Sequence, residues 1–243
     1  MRKTLLLFLL FLSNLIVGQR NSVMKKLLTF FITMYALSAW GQVQQKNEPA
    51  DFLPKGYIVF EKINGDLNKD GIADCVFVIK GTDPNRIVDV PYRGKLDRNR
   101  RGILILFNKK DHYELALEND TCFSSENEDG GVYFPPKLYL EISNGNLYIN
   151  YGHGRYGHWK YIFRYQHSYF ELIGYEESNG GVVTDSETSI NFQTKKKREK
   201  INTNENAEGG DEVFKEIWKD IQIDKLIKLN EVRDFDNLDF DEY

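Results

Sequence analysis

The chain carries no local catalytic signature. In its 243 residues no nucleophile stands beside a base, and no His/Glu zinc signature, phosphate-cradling glycine loop or glycosidase-like acidic pair is written. It also lacks an uninterrupted apolar run of the ~20 residues that span a bilayer as a helix. No cysteine lies near the N-terminal apolar segments, which argues against a lipid anchor. A basic surplus is missing too. Residues 1–41 hold five basic side chains and no acidic one, and without them 27 Lys and Arg face 36 Asp and Glu, a charge of −9. Such a surface repels phosphate backbones and anionic lipid, so nucleic acid is excluded as a natural partner.

What is abundant is aromatic. Fourteen Tyr and sixteen Phe bring the aromatic share to 14%, and such side chains fit pleated, half-buried surfaces better than helix interiors. The N-terminus reads as an address written twice. Residues 1–18 have a basic start and an apolar run of signal-peptide length; the pattern then recurs from Met24-Lys25-Lys26 through Leu27 to Trp40. Ala39 and Gly41 supply small residues at a cleavage site before Gln42. The reading is an upstream segment over 1–23 from an over-called start, a signal peptide over 24–41, and export to the periplasm or the outside with no stable membrane span after cleavage.

Residues 42–55 read as a polar leader, with order expected from Gly56. From there apolar-alternating runs recur at 57–63, 75–80, 103–107, 113–118, 137–142, 147–151, 159–166, 169–175 and 188–193. Asn144-Gly145, between Leu-Tyr-Leu-Glu-Ile and Leu-Tyr-Ile-Asn-Tyr, supplies the positive φ that a two-residue hairpin needs. The expected fold is mainly β, an antiparallel meander forming a sandwich or a partial propeller over 56–194. A polar loop is expected over 195–211, beginning with the basic block Lys-Lys-Lys-Arg-Glu-Lys, which a nuclear address cannot explain in an exported chain. Over 212–243 the spacing of Val213, Phe214, Ile217, Trp218 and Ile221 predicts one C-terminal helix capped by Asp211, followed by a strand-like segment and an acidic tail.

The chemistry lies at 66–74. Asp66, Asn68 and Asp70 stand at positions 1, 3 and 5 of a D-x-N-x-D-G-x-x-D array, Gly71 allows the sharp turn at 6, Ile72 offers its carbonyl at 7, and Asp74 stands at 9. Calcium is a hard cation that takes six to eight oxygens at about 2.3–2.6 Å, and alternate side chains in a tight bend can converge on it. An EF-hand would need a Glu at position 12, where this chain has Phe77, and helical flanks, where it has β-rich ones. A metal-free turn rich in Asp, Asn and Gly is the competing reading. Without the twelfth-position carboxylate the affinity expected is that of extracellular modules, on the order of 10⁻⁴–10⁻³ M.

The order of segments Leu-Pro-Lys-Gly-Tyr, the aspartate loop with Cys-Val-Phe-Val-Ile, Arg-Asn-Arg-Arg-Gly-Ile-Leu-Ile-Leu-Phe, Tyr-Ile-Phe-Arg-Tyr and Phe-Glu-Leu-Ile-Gly resembles secreted bacterial proteins that carry a single FG-GAP or integrin-like calcium loop. The resemblance covers residues 53–200. It implies export, a calcium loop and a β-rich domain, and brings no activity with it. That group has a Gly-Gly-Ser-Trp-Arg-Trp-like stretch where this chain has Gly-His-Gly-Arg-Tyr-Gly-His-Trp, and the loop does not repeat at blade spacing, which argues against a complete propeller.

Other candidates are weaker. His153 and His158 flank a glycine-rich turn and could share zinc, though a solvated hairpin explains the glycines equally well. Arg86, Arg93, Lys95, Arg98, Arg100 and Arg101 form a basic loop before a strand. Cys75 and Cys122 could pair after export, but Cys75 alternates with Phe77 and Ile79 as a core thiol would. Asp234, Asp236, Asp239 and Asp241 could add oxygens or merely solubilise the tail. The function expected is a non-catalytic calcium-stabilised module binding an extracellular or envelope ligand such as glycan or protein; the alternative is a secreted hydrolase whose site assembles only in space.

Overall fold

A computed structural model describes residues 44–128 and 134–240. The upstream segment, the signal peptide and the first residues of the leader lie outside the described residues, as does Asp241. The strands in chain order are β1 (Gln45–Lys46), β2 (Tyr57–Gly65), β3 (Asp74–Gly81), β4 (Ile87–Val90), β5 (Gly94–Asp97), β6 (Arg101–Asn108) and β7 (Tyr113–Phe123). There follow β8 (Lys137–Ser143), β9 (Asn146–Gly152), β10 (Gly157–Gln166), β11 (Tyr169–Gly180), β12 (Thr184–Asn191), β13 (Lys196–Asn202) and β14 (Phe214–Asp220). They form a five-stranded sheet in the order β1-β7-β6-β3-β2, a seven-stranded meander running from β8 to β14, and the hairpin β4-β5. All the pairings are antiparallel.

The two sheets share one core. Val76, Val78, Ile103, Ile105 and Leu117 of the five-stranded sheet pack with Leu140, Leu147, Ile149, Phe163 and Leu172 of the seven-stranded one. The other face of the five-stranded sheet buries Cys75, Phe77, Ile79, Leu104 and Leu106 beneath Phe52, Leu53 and Tyr57. This explains why β3 and β6 are continuously apolar: they are covered on both faces, whereas β8 alternates buried Leu138 and Leu140 with exposed Tyr139 and Glu141. Asn144 and Gly145 take φ of 53° and 71° between the paired Ser143 and Asn146, the expected two-residue hairpin turn.

Three expectations are corrected. The polar leader is ordered before Gly56: Gln45 and Lys46 pair with β7, and Pro49–Phe52 form a 3-10 turn that buries Phe52. The segment 195–211 is a loop only in its second half, because Lys196–Asn202 is β13. The charged block finds partners of opposite sign on neighbouring strands, Lys196 with Asp220 at 2.5 Å, Lys200 with Glu187 at 3.0 Å and Glu199 with Lys219 at 2.7 Å. The C-terminal helix is not formed; Phe214–Asp220 is β14, paired with β13 from Lys196↔Asp220 to Asn202↔Phe214. A lone helix here would have left the β13 edge bare. As a strand, the segment satisfies that ladder and sets charges of opposite sign across it. The helical segments among the described residues are 3-10 turns of three or four residues.

Residues after β14 return across the inner face of the seven-stranded sheet and add Ile221, Leu229, Val232, Phe235 and Phe240 to the core. Asn119 on β7 holds this strap, its Nδ2 donating to the carbonyls of Leu229 at 2.8 Å and Val232 at 2.7 Å. Among the described residues no helix is long and apolar enough to cross a membrane.

Candidate metal centre

The aspartate loop is the connection of the β2–β3 hairpin, entered at Gly65, which pairs with Asp74, and left at Asp74 itself. Its side chains are organised by its own backbone amides. Asp66 accepts the N–H of Asp70 at 3.1 Å on one oxygen and that of Gly71 at 2.9 Å on the other. Asn68 Oδ1 accepts the N–H of Asp70 at 2.9 Å, and Asp70 Oδ1 accepts that of Ile72 at 2.9 Å. The bend needs two left-handed residues, Lys69 at φ 63° and Gly71 at φ 85°. Gly71 meets nothing that would obstruct a Cβ, so its requirement is conformational rather than steric.

These bonds place Asp66, Asn68 and Asp70 on one turn, each oxygen retaining a lone pair beyond the one given to an amide. Lys109, from the turn after β6, lies 3.9 Å from Asp70 Oδ2. Asp74 differs. It is fully buried, its Oδ2 accepts the N–H of Leu67 at 2.9 Å, and its Oδ1 accepts the N–H of Asn108 at 3.0 Å. Burial pushes its carboxyl above the ordinary range, against the lowering effect of the Leu67, Asn108 and Asn68 amides. Asp74 therefore faces the β3–β6 join rather than the outside of the bend.

The donors suit a hard cation in kind, being carboxylate, amide and carbonyl oxygens, and their number is small. Asp66, Asn68 and Asp70 with the Ile72 carbonyl would hold calcium, water completing the shell. No group of three or more His, Cys, Asp or Glu side chains among the described residues is gathered for a metal. The spacing alone puts Asp66, Asn68 and Asp70 on one bend; the inward turn of Asp74 has no local signal, because Asn108 lies 34 residues away.

The remaining candidates are dispersed. His153 Nε2 lies 3.0 Å from the Phe134 carbonyl oxygen, and its ring centroid lies 5.7 Å from that of Tyr156. His158 is exposed on β10, across from Gly152 and Ser178. Beside the basic loop, Lys80 of β3 makes a largely buried pairing: its ammonium bridges Asp97 at 2.8 Å and Glu126. Arg100 pairs with Asp234 of the acidic tail at 3.0 Å, while Asp236 and Asp239 line a cleft of about 450 Å³ with Glu177, Thr188 and Lys197. Cys75 and Cys122 are both free and buried, in different cores.

Away from the core, one register row crosses the whole seven-stranded sheet: Tyr139, Asn150, Lys160, Glu176, Ser189, Arg198 and Trp218 are successive neighbours. Its ends are aromatic and exposed, Tyr139 at 46% and Trp218 at 63%. Lys160 and Glu176 pair at 2.7 Å, and the Arg198 guanidinium lies 5.9 Å from the Trp218 ring centroid. Periodicity at 213–221 did not single out this row, since it depends on the pairing of β13 with β14. No family model, curated protein or solved structure matches the chain.

Proposed function

We propose that this chain is an exported, non-catalytic β module, stabilised by calcium at Asp66, Asn68, Asp70 and the Ile72 carbonyl, that binds an extracellular or envelope ligand through the outer face of its seven-stranded sheet. The observation that carries the calcium reading is the way Asp66, Asn68 and Asp70 are arrayed on one turn by four hydrogen bonds from three loop amides. Asp74 acts behind them as the brace of the bend. The resemblance to single-loop FG-GAP-like proteins and the basic-apolar-small pattern over 24–41 support export and the loop's identity. The row from Tyr139 to Trp218 supports ligand binding: it is long, it offers aromatic ends, and its cations are matched, Lys160 by Glu176 at 2.7 Å and Arg198 by the adjacent Glu216 at 3.9 Å, which suits a neutral polar ligand such as glycan.

Calcium at ten times its dissociation constant adds about 1.4 kcal/mol of stability by mass action. The test is the melting temperature in calcium chloride against chelator. The wild-type chain rises in Tm with calcium and Asp70→Ala does not; an equal rise in both removes this loop as the site. A glycan array probed with wild type and Trp218→Ala tests the face, and loss of signal in the variant is the expected result.

A further inference from the structure

The aspartate loop sits against the opposite sheet. Gly65, the last residue of β2, lies so close to β8 that a Cβ on it would stand 2.5 Å from Ile142 Cγ2. At the tip of the β8–β9 hairpin, a Cβ on Gly145 would stand 2.4 Å from Lys69 Cε and 2.9 Å from Lys69 Cγ. Two glycines, one in each sheet, thus allow an approach that side chains would prevent. Between them is a cleft of about 390 Å³ into which Asp66, Lys69, Ser143 and Asn144 all face. β2 and β8 are both sheet edges. The loop therefore touches the other sheet at the seam where the two layers meet edge to edge.

Lys69 is the link. It lies between Asn68 and Asp70, two of the residues assigned to the cation, and holds a left-handed φ of 63° that a long side chain adopts only when its surroundings impose it. Its backbone is set by the bend, and its aliphatic stem lies on the backbone of Gly145. Long cationic side chains commonly bury their stems while the charge stays in water. An ordering of the bend is thus an ordering of Lys69, and the only flexible element between Lys69 Cα and the hairpin is the stem itself.

We infer that the loop is a clasp: cation binding at Asp66, Asn68 and Asp70 fixes the Lys69 stem on Gly145 and so tightens the Ser143–Asn146 turn and the β2–β8 seam. The inference rests on the calcium reading above and adds a regulated element to it. Linkage makes the coupling reciprocal, so a loosened turn weakens cation binding as well. The stem carries the coupling, not the charge; the ammonium opposes a divalent cation and would act in the other direction.

The experiment is hydrogen exchange of the whole chain, followed by mass spectrometry, in calcium chloride and in chelator, with Lys69→Ala and Lys69→Met beside the wild type. In the wild type calcium should slow amide exchange both in 66–74 and in 144–147, the latter about fivefold or more, the lower end of ordinary coupling. Lys69→Met keeps the stem and should keep both effects. Lys69→Ala should keep the slowing in 66–74 and lose it in 144–147. Slowing in the loop with an unchanged turn in the wild type overturns the clasp alone, as does an undiminished turn response in Lys69→Ala. No calcium effect at 66–74 in the wild type overturns the calcium reading and the clasp with it.

Discussion

Asn108 anchors Asp74 from the neighbouring strand, donating twice to the start of β3: its N–H to Asp74 Oδ1 at 3.0 Å and its Nδ2 to the carbonyl of Ala73 at 3.1 Å. The same carboxylate holds Leu67 N–H with its other oxygen. One side chain thus joins the start of the aspartate bend, the start of β3 and the end of β6. This separates the bend into an outer group able to meet an ion and an inner residue whose work is structural.

Asp74→Ala should therefore cost stability whether or not calcium is present. Two backbone donors lose their acceptor, and an unsatisfied buried polar group costs about 1–3 kcal/mol. The expected loss is about 2–4 kcal/mol by urea unfolding in chelator, against less than about 1 kcal/mol for Asp66→Ala on the exposed side of the bend. Equal losses in the two variants would remove the distinction between brace and ligand.

Much of the fold was legible because most strands bury one face or two. The alternation of Leu138 and Leu140, the unbroken Cys75–Ile79 run and the Asn144-Gly145 turn each carry a local period. β14 was not legible, since Phe214, Ile217, Trp218 and Ile221 fit a helical stripe and only Ile221 is buried; the decision between helix and strand was made by the bare edge of β13. β13 itself has almost no apolar signal, and its charges find partners on β12 and β14. The outer half of the candidate site followed from spacing alone. Its contacts with Asn108 and Gly145 belong to tertiary structure.

The Lys80 ammonium, with its side chain 7% exposed, holds Asp97 and Glu126 together. Burial alone would lower the pKa of Lys80, but hydrogen bonds to Asp97 and Glu126 raise it. Burial alone would raise that of Asp97, but Lys80 and Asn99 hold it below the usual carboxylate range. The lowered Asp97 contributes stability above its unfolded pKa of about 3.9, lost as pH falls through the folded value. The raised Lys80 contributes below about 10.4, lost as pH rises through its folded value. Lys80→Met should cost about 1–2 kcal/mol at pH 7, discounted because both carboxylates are partly solvated. The gap between variant and wild type should narrow as pH falls below the ordinary carboxylate range, and a urea midpoint difference that stays undiminished there would discard the pairing as its source.

Cys75 and Cys122 lie on opposite sides of the five-stranded sheet, one in each core. Burial pushes both thiols above their ordinary pKa, which suppresses the thiolate that disulfide exchange requires. Protein purified in air should release two thiols on unfolding and none before it, and its Tm should not respond to reductant. No titratable thiol on unfolding, with two appearing after reduction, would show that pairing outcompetes the packing described.

The strap after β14 is core rather than tail, and Phe235 is the residue that makes it so. Its ring stacks on Phe123 at 5.1 Å and meets Tyr161 edge-on at 4.8 Å, with Phe163 and Tyr151 completing the surround. The Tyr161 hydroxyl also donates to the Phe235 carbonyl at 3.3 Å. One ring therefore fills the space between β7 of one sheet and β9–β10 of the other, where the Asn119 clamp already fixes the backbone. Phe235→Ala should cost about 3–5 kcal/mol, the usual loss for a fully buried aromatic, while Trp218→Ala at the exposed end of the outer row should stay within about 0.5 kcal/mol. Urea denaturation of the two variants reads this ordering directly. If Phe235→Ala is as mild as Trp218→Ala, the strap contributes no core, and the seven-stranded sheet must be stable with its inner face uncovered.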